Sequence, residues 1–197
     1  MKKILILVVL AIIVPLIYLI YSNYNNIPKL DENVKEKWSQ VQNQYKRRAD
    51  LIPNLVATVK GYAEHEKGTF VEVTEARSKV SQMNINADTL NNPAAMEQFS
   101  QAQAGLSSAL SKLMVVVEKY PDLKANENFK ALQSQLEGTE NRITVARKDF
   151  IEAVKLYNIE LRTMPGKLVA AIAHPSAQIK ESFKASPTEQ DAPKVQF

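Results

Sequence analysis

The chain has 197 residues, only five glycines and no cysteine, which excludes disulfides, thiolate metal ligands, thiol nucleophiles and a lipid-modified N-terminal cysteine. Its net charge of +4 includes Lys2 and Lys3, leaving +2 among many charges of both signs, too little to draw nucleic acid. Ala, Leu, Lys, Glu and Gln are abundant, and with so few glycines they favour long helices over strands and turns.

Ile4 to Tyr21 runs without a charge. At about 1.5 Å per helical residue it just spans a hydrocarbon core of about 30 Å. Pro15 interrupts the run, which a lipid helix tolerates where neighbours satisfy the freed carbonyl. Tyr18, Tyr21 and Tyr24 fall where an exit-side aromatic belt would lie. A cleaved signal peptide also begins with basic and apolar residues, but the exit LIYLIYSNYNN has no small-x-small cleavage site, so an uncleaved anchor is expected. Lys2 and Lys3 precede it and no basic residue follows before Lys29, which puts the N-terminus in the cytoplasm and the body outside.

Beyond a short linker, apolar positions recur in threes and fours: Val34, Trp38, Val41, Tyr45, then Ile52, Leu55, Val59, Tyr62, then Phe70, Val73, Ala76, Val80. This is the seam of packed helices, and Arg48 falls on it, so its stem should pack while its head pairs with an acid. Ser81 to Asn92 reads as a loop, Pro93 opens a second segment through Phe99, Leu106, Leu113 and Tyr120, and Asn126 caps a third through Phe129, Ile143, Phe150 and Tyr157.

Pro53 poses the architectural question, because a proline disfavours a helix interior and Asp50 can cap a new helix. An unbroken helix from Leu30 to Val80 would be about 75 Å long, against about 40 Å for the second segment. A turn at Asp50 to Pro53 is therefore expected, giving an all-α fold with an N-terminal transmembrane helix and an antiparallel up-and-down four-helix bundle. The alternative is three long helices, the first kinked at Pro53. The boundaries are an anchor over 1–22, a juxtamembrane linker over 23–33, a bundle over 34–173 and a tail over 174–197, with the chain from Pro175 loosely held.

Candidate chemistry is sparse. His65 has Gly61, Tyr62, Gly68 and Thr69 at the positions that share its helix face, none a good ligand, and Thr69 stands where a zincin would need its second histidine. His174 has no acid or nucleophile nearby in sequence. No nucleophile elbow or phosphate-binding glycine loop occurs. Neither a metal nor a cofactor is expected, and no catalytic residue is assigned. The basic run Lys46, Arg47, Arg48 could meet anionic lipid, but its place favours intramolecular pairing with acids such as Glu140. Arg47, Arg48, Asp50, Pro53, Asn54, Glu140 and Arg147 are the residues to which a structural or interaction role is attached.

The stretch WSQVQNQYKRRADLIPNLVATVKGYAEHE at Trp38 to Glu66 resembles the LemA family of bacterial membrane proteins. So do VTEARSKV at Val73 to Val80, YPDLKANENFKALQ at Tyr120 to Gln133, and ENRITVARKDFIEAVKLYN at Glu140 to Asn158. The resemblance implies an antiparallel helical bundle on a membrane anchor, no established enzymatic activity, and an association with membrane-embedded zinc metalloproteases and envelope stress. The chain departs from the pattern at Pro28, where an apolar residue usually stands, and after Pro165, which bears on the juxtamembrane join and the C-terminal packing.

The function these features point to is a non-enzymatic, membrane-tethered interaction or scaffold module of the cell envelope. Its expected partners are the membrane, a protein such as a membrane metalloprotease, and a second copy of itself. Two other readings stay open: an enzyme with a site around Arg48, Asp50 and Glu140, and a scaffold that binds lipid or cell-wall polymer.

Overall fold

A computed structural model describes residues 2–83 and 85–183 of the chain. The elements are α1 (Lys2–Lys60), α2 (Lys67–Gln82), a 3-10 turn (Ala87–Asn91), α3 (Pro93–Val117), α4 (Pro121–Ala125), α5 (Glu127–Arg162) and α6 (Gly166–Ala173). The described residues contain no strand. They form two compact units, one of the chain up to Asp50 with Gln135–Lys180, the other of Leu51–Ser134 with the described chain from Glu181. The part of the expected tail beyond residue 183 lies outside the described residues.

The first unit is built on two heptad seams. Val34, Trp38, Val41, Tyr45 and Arg48 are buried along α1, and Leu136, Thr139, Ile143, Ala146, Phe150, Ala153 and Tyr157 along α5, in strict alternation of threes and fours. That spacing keeps one stripe turned toward a partner helix for turn after turn. The two helices run antiparallel and stay in step: Arg48 meets Glu140, and ten residues away on each helix Trp38 meets Phe150, with ring centroids 5.1 Å apart. Each large side chain buried in this way stabilises by about 1.5–3 kcal/mol. By the same step, the C-terminal end of α5 lies level with the stretch of α1 around Tyr24.

The second unit packs α2 against α3. Phe70, Val73 and Val80 of α2 and Phe99, Leu106, Leu110 and Leu113 of α3 are buried, as are Ile52, Leu55 and Val59 at the end of α1. The expected cap at Asn126 is present, its Oδ1 accepting from the Phe129 amide at 2.9 Å, and Asn92, ahead of Pro93, caps α3 by accepting from the Ala95 amide. Asn126 Nδ2 donates to the Tyr62 hydroxyl at 2.9 Å, tying the end of α4 to the turn that follows α1.

Two expectations are corrected and a third is not supported. The chain does not turn back at Asp50 to Pro53; α1 is continuous through Pro53 and ends at Lys60, with the turn at Gly61 to Glu66. Pro53 is exposed while Ile52, Leu55 and Val59 are buried, so the apolar seam continues past the proline and its burial offsets the roughly 3 kcal/mol cost of proline inside a helix. Second, the transmembrane helix expected over Ile4 to Tyr21 is not supported, because no helix among the described residues is long and apolar enough to cross a membrane. Some side chains of that stretch are not described; those that are include a row of exposed apolar ones, Ile4, Ile6, Leu7, Leu10, Ile13 and Val14. Third, the chain after Pro175 is firmly held as far as Phe183, for reasons given below.

Candidate functional site

Of the residues singled out in the sequence, the first unit brings Arg48, Glu140 and Arg147 together, around Tyr45. Arg48 is only 2% exposed, and its Nη1 donates to both carboxylate oxygens of Glu140, at 3.0 and 3.3 Å. Its guanidinium also lies 5.1 Å from the centre of the Tyr45 ring, within cation–π range. Burial pushes the Tyr45 hydroxyl up, opposed by the charges of Arg147 and Arg48 and by a hydrogen bond from Arg147. Arg47, Asp50, Pro53 and Asn54 are all exposed on α1 and do not join them.

Beside the cluster is a shallow groove of about 400 Å³ lined by Gln40, Asn43, Gln44, Asn141, Arg142 and Asp149 over a floor of Val145 and Ala146. Arg142 reaches across to α1, its Nε donating to Gln44 Oε1 at 3.3 Å, while its Nη2 donates to Thr139 Oγ1 one turn back on α5 at 3.2 Å. Amides, one guanidinium and one carboxylate over a small apolar floor make a surface that can recognise polar groups. His65 is exposed, and among the described residues no group of three His, Cys, Asp or Glu side chains could hold a metal ion.

A second constellation, which sequence reasoning missed, secures the C-terminal segment. Lys180 is 8% exposed, and its Nζ reaches Asp31 Oδ1 at 2.8 Å and lies 5.1 Å from the centre of the Tyr157 ring. Asn158 accepts from the Lys180 amide and donates to the Lys180 carbonyl, both at 2.9 Å, so its side chain pairs with that peptide as a neighbouring strand would. Burial alone would raise the Asp31 carboxyl, but hydrogen bonds and charge from Lys180 and Lys35 outweigh it and hold the acid below the usual range. Lys35 is raised by its bonds to Asp31 and Glu32. In the second unit the Glu181 amide donates to the Leu90 carbonyl at 2.8 Å, and Phe183 is buried with its ring 6.2 Å from that of Phe99.

His174, just past α6, packs its ring 4.9 Å from that of Tyr24, and its Nε2 is 3.0 Å from the Tyr24 carbonyl. The sequence signal for this was Pro28. A proline inside a helix leaves the carbonyl four residues earlier without its donor, and that carbonyl belongs to Tyr24. Gly166, where α6 begins, is equally constrained: a methyl group there would collide with the Glu160 carbonyl oxygen and press on its carboxylate.

The LemA family model matches residues 37–197. Among curated proteins, Magnetosome protein MamQ 2 of Paramagnetospirillum magneticum is 26% identical over 162 residues, covering 73% of this chain and 58% of its own length. Magnetosome protein MamQ of Magnetospirillum gryphiswaldense is 25% identical over 157 residues, covering 72% and 58%. Protein LemA of Metamycoplasma hominis is 24% identical over 141 residues, covering 71% and 60%. The chain thus spans less than two thirds of the length of these relatives.

Proposed function

This chain belongs to the LemA family, and from that premise we propose that it is a membrane-tethered helical interaction module of the bacterial cell envelope, working by contact and not by catalysis. The observation that carries the reading is the start of α1: Ile4 to Tyr21 has no charge, and Ile4, Ile6, Leu7, Leu10, Ile13 and Val14 are exposed along it. A row of apolar side chains that the chain itself leaves uncovered is a contact surface, and a bilayer is the cover that suits a row on a continuous helix. Lys2 and Lys3 place the N-terminus on the cytoplasmic side and the packed units outside.

The partner of the body is a protein. A membrane metalloprotease is the one the family resemblance suggests, with a second copy of the chain as the other. A structural role for the Arg48 cluster draws more support than a catalytic one, since the guanidinium is committed to Glu140 and Asp50 is exposed apart from it.

Alkaline carbonate washing of membranes tests the tether. The native chain stays with the membrane, and a Leu10→Arg, Ile13→Arg variant is released, because each charge at a span centre costs about 2.5–3.5 kcal/mol. Release of the native chain by the wash overturns the tether. Crosslinking in intact cells, followed by identification of what is attached, tests the interaction; if neither a partner nor a self-oligomer is recovered reproducibly, the interaction reading falls.

A further inference from the structure

We infer that α6 is a second membrane contact, lying flat in the headgroup region beside the exit of α1; this rests on the reading that the start of α1 sits in the bilayer. Gly166, Val169, Ala170 and Ala173 form one stripe of α6, at the helical spacing of three and four, and this stripe is buried or half-buried in the first unit. The other side is apolar too. Leu168, Ala171 and Ile172 are exposed, Ile172 by 75%, and Met164 just ahead of the helix is exposed as well. Within α6 only Lys167 carries a charge. A helix that is apolar all round is normally covered on every side, yet the chain covers one face of this one.

Position names the cover. His174, the residue after α6, is in ring contact with Tyr24 and bonded to its carbonyl, so the end of α6 is fixed three residues past the uncharged run that closes at Tyr21. Tyr21 and Tyr24 are exposed at this level, and an aromatic belt at a bilayer surface has this composition. An interfacial helix buries its apolar face at the boundary of headgroups and acyl chains, with long basic side chains reaching outward to phosphate, which is what Leu168, Ile172 and Lys167 can do here. Gly166 seats the helix against Glu160, and the bond between His174 and Tyr24 holds its far end, so α6 is presented as a fixed surface.

The chain has no cysteine, so a single introduced thiol carries a unique label. The full chain is reconstituted in vesicles of phosphatidylethanolamine and phosphatidylglycerol with an environment-sensitive fluorophore at Ile172→Cys, Ile13→Cys or Val145→Cys, and each is challenged with brominated lipid. Ile13 reports the tether, and Val145 is an exposed site on α5 remote from α6 in the sequence. The expected result is strong quenching at Ile13, clear but weaker quenching at Ile172 with a blue-shifted emission, and none at Val145. Quenching at Ile13 with Ile172 as silent as Val145 overturns the inference and leaves the tether standing. Silence at Ile13 overturns the tether reading itself. Efficient disulfide formation between two unlabelled Ile172→Cys chains in the vesicles, together with no lipid quenching at that site, also overturns it and assigns the face to a second copy. In a Leu168→Glu background, loss of quenching at Ile172 with unchanged quenching at Ile13 is the matching positive result.

Discussion

His174 supplies the hydrogen-bond donor that Pro28 lacks. In a regular helix the Tyr24 carbonyl accepts from the amide of residue 28; Pro28 has no amide hydrogen, and His174 Nε2 stands 3.0 Å from that oxygen. A carbonyl can only accept, so Nε2 carries the proton. The proline that departs from the family pattern and the histidine with no evident sequence role are thus two halves of one arrangement.

That pairing makes a double-mutant prediction. His174→Ala in the native background is expected to cost about 1 kcal/mol, the usual worth of a hydrogen bond whose loss strands a carbonyl. Pro28→Ala restores the helical donor, so it stabilises on its own and makes His174→Ala nearly neutral. Denaturant unfolding of the four variants, followed by circular dichroism, measures the coupling, and strictly additive effects would refute it.

The Arg48 pair is asymmetric, and its two halves should fail differently. Glu140 keeps 42% of its side chain exposed while Arg48 keeps 2%, so water can take over the acid but not the base. Glu140→Ala, which deprives a buried guanidinium of its carboxylate, is expected to destabilise by about 3–5 kcal/mol. Arg48→Met leaves only a partly solvated acid and should cost less, about 1–3 kcal/mol. The reverse order, read from unfolding midpoints, would mean that another group neutralises Arg48.

Asp31 gives the pH dependence a sign. Its carboxyl is held below the ordinary value of 3.8 in the folded chain, so the stability it adds is full above that value and is lost as pH falls through the folded value. Lys35 and Tyr45 are both raised, so their contributions are full below 10.5 and 10.0 respectively and are lost as pH rises through the folded values. Thermal unfolding should therefore show an acid limb below about pH 4 that Asp31→Asn flattens. An unchanged acid limb in that variant would show that Asp31 is not its source.

Gly166→Ala is expected to destabilise by about 1–3 kcal/mol, although alanine is the better helix former, because the added methyl meets the Glu160 carbonyl and α6 must shift. Gly68→Ala provides the contrast, since a methyl there meets nothing within 4 Å and should stabilise α2 by up to about 1 kcal/mol. Hydrogen exchange at Val169 and Ala170 should speed up in the first variant only.

Much of this was readable from the residues. Composition and the spacing from Val34 to Tyr157 were enough for the all-α class, because threes and fours of apolar side chains have one efficient way to be buried. Pro93 marked one helix start because its fixed backbone suits a first turn, and Asn126 another because its side chain satisfies an amide one turn away. The seam also placed Arg48 inside, and inside it is, against Glu140.

Pro53 was harder, because local cost and nonlocal gain oppose each other there: the proline disfavours the helix by a few kcal/mol, while Ile52, Leu55 and Val59 recover more by staying in register.

The sequence by itself determined the all-α class and the apolar stripes from Val34 to Tyr157, since both follow from chemistry within one or two turns. Only the tertiary structure decided that Asn158 holds the Lys180 peptide, that Asp31 meets Lys180, and that His174 completes a helix turn 150 residues before it. Such contacts join residues far apart in the chain through single polar atoms. No periodicity announces them, and they exist only once the apolar seams have brought the C-terminal end of α5 beside the stretch of α1 around Tyr24 and Asp31.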